Sequence, residues 1–528
     1  MRTLRQIISL ATTVTAAAAV LGTLLLLCLR VLTHAPFFDE CLHVRYLWLV
    51  AQGLVPHLDF SCIYAPMTYL ATRDVIGVVG GHAYTYLVLR FIMAGLMAGA
   101  GAICAWHGRR MAGAWLWGCL PFCLVVALPL YCRTSAEYSA DRFAMLAAVA
   151  ALAILFTPPT AGRVAAAAAL SVVSVAFTPK YTFILACGGA AYTLGACHSR
   201  AGAARVLAAG AAGLAAAAGA VWLYYGAHGL SFGATWTWVY RVQSQYSLAH
   251  GEERLWRALL PIAARYWAVS AVLLGGAAAV VVRTRSTGLR ASAGSLGVLA
   301  GVLCHAIVIR GLHEQYTLPV FVALAFCAPA AAVVLRERVP DRMPFITAAL
   351  AAFVLLCTLI RFPVAAAEFR LTLSNTRDEF KVLATGLYKT VPAFLMLRSM
   401  QQLLNAIPAG ERVVAMWKCH PTFRTDLTFI TVDDRPSGLD SLPHASPIRR
   451  FFSPAYFRQM LERHPPAYIN LTYLDVNYPI GWLEVCQAFI ASRSNLYTAV
   501  KFSDTIGYIR NDLVAQLGRA RAAPGGSP

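Results

Sequence analysis

"HAPFFDECLHVRYLWLVAQGLVPHLDFSCIYAP", residues 34–66, follows the first long apolar run of the chain. It sets three carboxylates, Asp39, Glu40 and Asp59, among aromatic and aliphatic side chains, with no run of basic partners. An acidic side chain costs roughly 2.5–3.5 kcal/mol at the centre of a lipid-embedded helix. Acids that follow directly on such a run therefore mark a place where the chain leaves a membrane, or where it lines a protected cavity.

The composition agrees. Of 528 residues, 59% are hydrophobic and 13% charged, with a mean hydropathy of +0.61. A soluble chain carries about 25% charged residues, so a polytopic membrane protein is expected. The net charge of +20 is spread in short clusters between apolar runs. Nucleic-acid binders concentrate such charge in a basic stripe with interleaved aromatics, and that class is excluded. The N-terminal stretch opens like a signal peptide, but its apolar run of roughly 25 residues is too long for an h-region, and a retained first membrane helix is expected.

Membrane helices need about 17–25 apolar residues. Candidates lie near 7–32, 84–106, 111–132, 143–157, 164–178, 180–197, 205–226, 266–282, 291–309, 316–335 and 343–362, about eleven in all. A cytoplasmic N-terminus puts the basic clusters at 107–110, 163, 198–205, 283–290 and 336–342 on one side, as the positive-inside rule requires. Of eleven Asp and Glu residues before position 363, only Glu337 and Asp341 fall with them. The others (Asp39, Glu40, Asp59, Asp74, Glu137, Asp141, Glu252, Glu253 and Glu314) fall on the far side. Chemistry is expected on that outer face.

Residues 1–362 are accordingly expected to form a polytopic catalytic domain with an outer loop at 33–83. Residues 363–515 shift to alternating helix and strand patterns and are expected to form an outer-face α/β domain, followed by a disordered tail at 516–528. Strands are expected at 412–417, 466–474 and 497–510, and helices at 394–407, 454–464 and 480–492. Most of the 14 cysteines stand alone in apolar runs and read as small buried hydrophobes. Cys41 with Cys62 and Cys419 with Cys486 are candidate disulfide pairs, and no pair has zinc spacing.

Several residues could carry chemistry. The spacing around His43, Arg45, Trp48 and Leu49 suggests a short amphipathic surface helix. Asp39 stands at its start, where a helix N-cap is the plain structural role. Glu137 and Asp141 are four apart and share a helix face. They read either as a solvated helix start, with Asp141 paired to Arg142 or Arg133, or as an acidic wall for an acceptor or a divalent metal. Lys180 lies between two apolar runs, as a snorkelling lysine or as a cation for a phosphate. Arg310, His313 and Tyr316 lie within seven residues and form a candidate anion-binding group.

In order along the chain, "FFDE", "WLVAQGLVPHLDF", "YAPMTYL", "GHAYTYLVLRF" with Arg90, "AEYSADRFAMLAAVAALA", "SVAFTPKYTFIL" and "HEQYTLPVFVALAF" resemble the polytopic GT-C glycosyltransferases of the family-39 type. That group includes protein O-mannosyltransferases and lipid A aminoarabinose transferases. Where the latter carry a lysine before two prolines, this chain has Tyr64, Ala65 and Pro66.

The resemblance implies inverting transfer of a monosaccharide from a polyprenyl-phosphate donor, on the outer face, to a hydroxyl of a glycan, lipopolysaccharide or protein. Asp39 is the expected base, with Glu40 beside it. Asp59, Glu137 and Asp141 would orient the acceptor or hold a metal. Lys180, Arg310, His313 and Tyr316 would hold the donor phosphate. No cofactor is required, a divalent metal being the one candidate. The Ala-, Arg- and Gly-rich composition points to a bacterium, hence an inner-membrane location with the C-terminal domain in the periplasm. A transporter or flippase would instead show repeats and broken helices with charges inside the spans. An oligosaccharide polymerase or ligase would share the acidic loops.

Overall fold

The structure is a computed structural model that describes residues 2–33, 38–57, 62, 64–79, 84–197, 200–237, 239, 254–309, 316–367, 407–414, 428–429, 454–470, 482–502 and 505–515. Among these residues, six helices are long and apolar enough to cross a membrane: Gln6–Leu32, Thr85–Ala112, Ala201–Ala227, Trp267–Thr287, Leu318–Arg338 and Pro340–Ala367. Shorter apolar helices include Leu116–Ala127, Ala161–Phe177 and Ala293–Val308. The protein is thus a helical membrane protein. The expected helix 394–407, the tail 516–528 and much of 363–453 lie outside the described residues.

In chain order the helices are α1 (Arg2–Thr33), α2 (Phe38–Ala51), α3 (Met67–Val79), α4 (Tyr84–Ala112), α5 (Leu116–Ala127), α6 (Pro129–Thr134), α7 (Ala140–Leu155) and α8 (Ala161–Phe177). A 3-10 turn, Pro179–Tyr181, leads to α9 (Thr182–Ala196), α10 (Arg200–Ala227), α11 (Phe232–Trp236), α12 (Leu255–Arg265) and α13 (Trp267–Thr287). There follow α14 (Ala293–Val308), α15 (Leu318–Ala325), α16 (Ala328–Arg338) and α17 (Met343–Leu359). The chain falls into two compact units, 1–31 with 90–225 and 250–366, and 32–89 with 226–249 and 367–528.

The first unit is held by close helix packing. Apolar side chains gain nothing by leaving lipid for a protein interior, so small residues that bring backbones together take over the task. On α14, Gly297 and Gly301 face α9: a Cβ at Gly301 would stand 2.6 Å from Ile184 Cα, and one at Gly297 2.5 Å from Cys187 O. The apolar run at 318–338 breaks between α15 and α16. Phe326 and Cys327 stay in the right-handed helical region there. The buried His107 of α4 donates from Nε2 to the Phe326 carbonyl at 3.2 Å. That bond supplies a donor to a carbonyl beside the break, where lipid offers none. Thr23 and Thr358 hydroxyls, 3.3 Å apart, tie α1 to α17.

The second unit contains α2 with α3, and a five-stranded sheet of order β2-β1-β3-β5-β4. Its strands are β1 (Arg412–Val414), β2 (Thr428–Phe429), β3 (Tyr468–Asn470), β4 (Tyr497–Phe502) and β5 (Thr505–Arg510). Helices α18 (Pro454–Arg463) and α19 (Trp482–Ser492) lie close to the bounds expected for them. β1 runs parallel to β2 and β3, whereas β5 is antiparallel to β3 and β4. The single strand expected at 497–510 is a hairpin, with Phe502 opposite Thr505. Arg510 of β5 grips the Glu411 carboxylate with both amino nitrogens, at 3.0 and 2.6 Å, next to the start of β1.

Near His43, where a surface helix is expected, α2 buries His43, Val44 and every residue from Tyr46 to Val50; the side chains of Phe38, Cys41, Leu42 and Arg45, which share one face, lie outside the described residues. Asp39 is not the cap residue, since α2 begins at Phe38 and Asp39 lies inside its first turn. Cys62 and Cys486, each one half of a candidate disulfide, are buried, while Cys419 and the side chain of Cys41 lie outside the described residues.

Candidate functional site

In the first unit, several helix ends meet around Lys180. Helix α8 stops because Thr178 precedes a proline and takes an extended backbone, φ −161° and ψ 143°. Pro179 then opens the 3-10 turn that carries Lys180. Helix α7 starts after the extended Ser139 and carries Asp141 in its first turn, where a carboxylate meets the positive end of the helix dipole.

Packing of α7 on α8 brings the two together. Lys180 Nζ donates to Asp141 Oδ2 at 2.6 Å, with the side chains only 13% and 12% exposed. The same ammonium lies over the Tyr316 ring, 4.8 Å from its centroid. An aromatic face attracts a cation through its quadrupole, and more strongly where water is scarce.

Tyr316 is itself fixed from behind. His305, near the C-terminal end of α14 and fully buried, donates from Nε2 to the Tyr316 carbonyl at 3.1 Å. A carbonyl only accepts, so this bond places the His305 proton on Nε2. The next residue, Thr317, shares a short hydroxyl–hydroxyl hydrogen bond with Tyr131 of α6. Arg142, adjacent to Asp141, is buried. Arg90 is fully buried and donates to the Val31 carbonyl at 3.3 Å. The site as a whole is a cation held between a carboxylate and an aromatic face at the edge of an apolar bundle. Such a group can bind an anion, stabilise a leaving phosphate, or anchor helix ends.

In the second unit, α2 carries Asp39 and Glu40. The Glu40 carboxylate is buried, at 1% exposure. One turn on, His43 Nδ1 is 2.6 Å from the Tyr69 hydroxyl of α3, and the His43 ring lies 4.3 Å from that of Tyr64. Tyr46 meets Tyr69 edge to face. This aromatic cluster fixes the roll of α2 and so the direction of its first turn. Gly53 closes α2 with φ +82°, a left-handed conformation open to glycine at no steric cost. His57, buried in the loop that follows, also has a positive φ, 67°. Burial holds its imidazole neutral, lowering its pKa from 6.5 to about 3.

Of the expected site residues, the structure joins Asp141, Lys180 and Tyr316. Asp141 pairs with Lys180 and was expected to pair with Arg142 or Arg133 if structural. Glu137 is half-buried in the turn before α7. Asp59, Arg310 and His313 lie outside the described residues, as does the side chain of Asp39. Among the described residues, no three His, Cys, Asp or Glu side chains come together as a metal centre would require. Sequence reasoning assigned no role to His305 or Tyr69. The signal for His305 was a lone histidine inside an apolar run, eleven residues before Tyr316.

No family model matches the chain, and no curated protein matches it.

Proposed function

We propose that the protein is an inverting glycosyltransferase of the GT-C kind. It crosses a bacterial inner membrane about eleven times, with its N-terminus in the cytoplasm and residues 363–515 in the periplasm. Its donor is a polyprenyl-phosphate monosaccharide and its acceptor a hydroxyl of a glycan, lipid or protein. The observation that carries this reading is Lys180, fixed between Asp141 and the Tyr316 ring where several helices end. A lipid phosphate needs such a fixed cation at the edge of an apolar bundle, because its chain stays in lipid while its head group must be bound.

In the reaction, the acceptor oxygen attacks the anomeric carbon from the face opposite the phosphate. The acceptor proton passes to the Asp39 carboxylate as the new bond forms. The bond between the anomeric carbon and the phosphate oxygen breaks, its electron pair leaving with the phosphate. Lys180, with Arg310, His313 and the Tyr316 hydroxyl, stabilises the charge that grows on that oxygen. Glu40, Asp59 and Glu137 orient the acceptor.

The test uses the full chain in vesicles with a panel of polyprenyl-phosphate hexoses and pentoses and mixed envelope glycans as acceptors. Release of free polyprenyl phosphate from one donor is expected, lost in Asp39→Asn. Absence of release from every donor, with the chain folded, would sink the proposal.

A further inference from the structure

Helix α12 belongs to neither group of site residues, and its surface is divided in an unusual way. A turn of 3.6 residues places Leu255, Leu259 and Ile262 on one face. Leu255 is fully buried, and its N–H donates to the Ile309 carbonyl at 2.9 Å. Leu259 and Ile262 pack on the core of the unit. The helix is therefore seated firmly by one third of its circumference.

The rest of its surface is exposed and has two unlike flanks. On one, Trp256 is 40% and Leu260 61% exposed. On the other, Arg254 and Arg265 are exposed and lie within about 20° of one another around the helix axis. Arg257 stands between the flanks, its guanidinium 5.4 Å from the Trp256 ring. From Arg254 to Ile309 the chain carries no acidic residue. The helix ends at Tyr266 with φ −113° and ψ 41°, a break that turns the chain into α13. Trp267 opens α13, an apolar helix long enough to span a membrane, and is 73% exposed.

We propose that α12 lies in the membrane–water interface and binds the phosphates of anionic phospholipids. Its apolar flank sits at the acyl boundary, with Trp256 and Trp267 at the depth that indole rings favour. Arg254 and Arg265 face the head groups, where each basic residue is attracted by anionic lipid. The partner is lipid for two reasons. The helix leads directly into an apolar membrane-length helix, and its aromatic–basic division follows the layering of an interface. The inference goes beyond glycosyl transfer and stands without it.

Two measurements on the full chain test it. In neutral detergent, native mass spectrometry should show phosphatidylglycerol retained in preference to phosphatidylcholine. Arg254→Gln with Arg265→Gln should cut that preference roughly fivefold or more. Equal retention of the two lipids, or a preference the double variant leaves intact, overturns the proposal. Placing a fluorescent amino acid at Leu260 in lipid nanodiscs locates the apolar flank independently. Quenching by lipids with a nitroxide near the head group is expected. Quenching by a soluble nickel chelate alone means a solvated face, and quenching by neither means a protein partner; each result also overturns it.

Discussion

Lys180 Nζ lies 2.6 Å from Asp141 Oδ2, although the two residues were expected to serve different substrates. Each is the other's counter-ion, so an anion that arrives at Lys180 must compete with Asp141. The sign of one substitution then separates two roles. As a competitor, Asp141 weakens anion binding, and Asp141→Asn should tighten the binding of polyprenyl phosphate about 3- to 10-fold, the scale of a partly exposed ion pair. As a scaffold that aims the lysine, its loss would weaken binding. Lys180→Ala should weaken it in either case. Calorimetry with a short-chain isoprenyl phosphate reads the sign, and we expect tightening.

His305 is expected to act on this site through Tyr316. Its Nε2–H is the donor to the Tyr316 carbonyl in a partly buried bond, and a carbonyl left without its donor there costs about 1 kcal/mol, the low end of the range for buried groups. His305→Ala should lower thermal stability by that amount and raise the donor KM several-fold, because the ring beneath Lys180 shifts. His305→Gln, which can still donate, should restore much of both. A fall in stability with unchanged donor KM in His305→Ala would leave His305 as a packing residue only.

What could be read in advance follows from range. The apolar runs at 7–32, 84–106 and 205–226 are local signals, and helices occupy all three. Lys180 and Asp141 were each visible as polar residues beside an apolar run. Their contact spans 39 positions and depends on how α7 packs on α8, which no local pattern encodes. His305 was silent because its partner is a backbone carbonyl, which has no letter in the sequence. The spacing along α2 marked it as a helix, but the burial of His43 against Tyr69 of α3 depends on a contact 26 positions away that no local pattern encodes. The hairpin at 497–510 was taken as one strand because alternation continues through both arms, and only Ser503 and Asp504 interrupt it.

The seam between α9 and α14 predicts a packing defect. At Gly301 a Cβ would sit 2.6 Å from Ile184 Cα and 2.7 Å from Phe183 O, both backbone atoms that cannot swing aside. Gly301→Ala should therefore force the helices apart and cost about 1–3 kcal/mol. Gly219, with open space at its Cβ position, is the control: Gly219→Ala should be neutral or slightly stabilising. Thermal unfolding in one detergent compares the two, and equal stability would mean that the seam is looser than its geometry implies.

His57 gives the loop after α2 a dependence on acid. Its pKa is lowered to about 3 in the fold by burial, against 6.5 when exposed. Between those values the unfolded loop takes up a proton that the folded loop refuses. The contribution of His57 is therefore complete above pH 6.5 and is lost as pH falls toward 3, by up to ~1.4 kcal/mol per pH unit. His57 also has φ 67°, a region that asparagine tolerates better than most residues. His57→Asn keeps a polar side chain, suits that backbone and has no proton to gain. Limited proteolysis of the full chain between pH 7.5 and 5 should show the wild-type loop opening progressively as acid is added, while the variant stays resistant. Parallel cleavage of both proteins across that range would place the acid-sensitive group elsewhere.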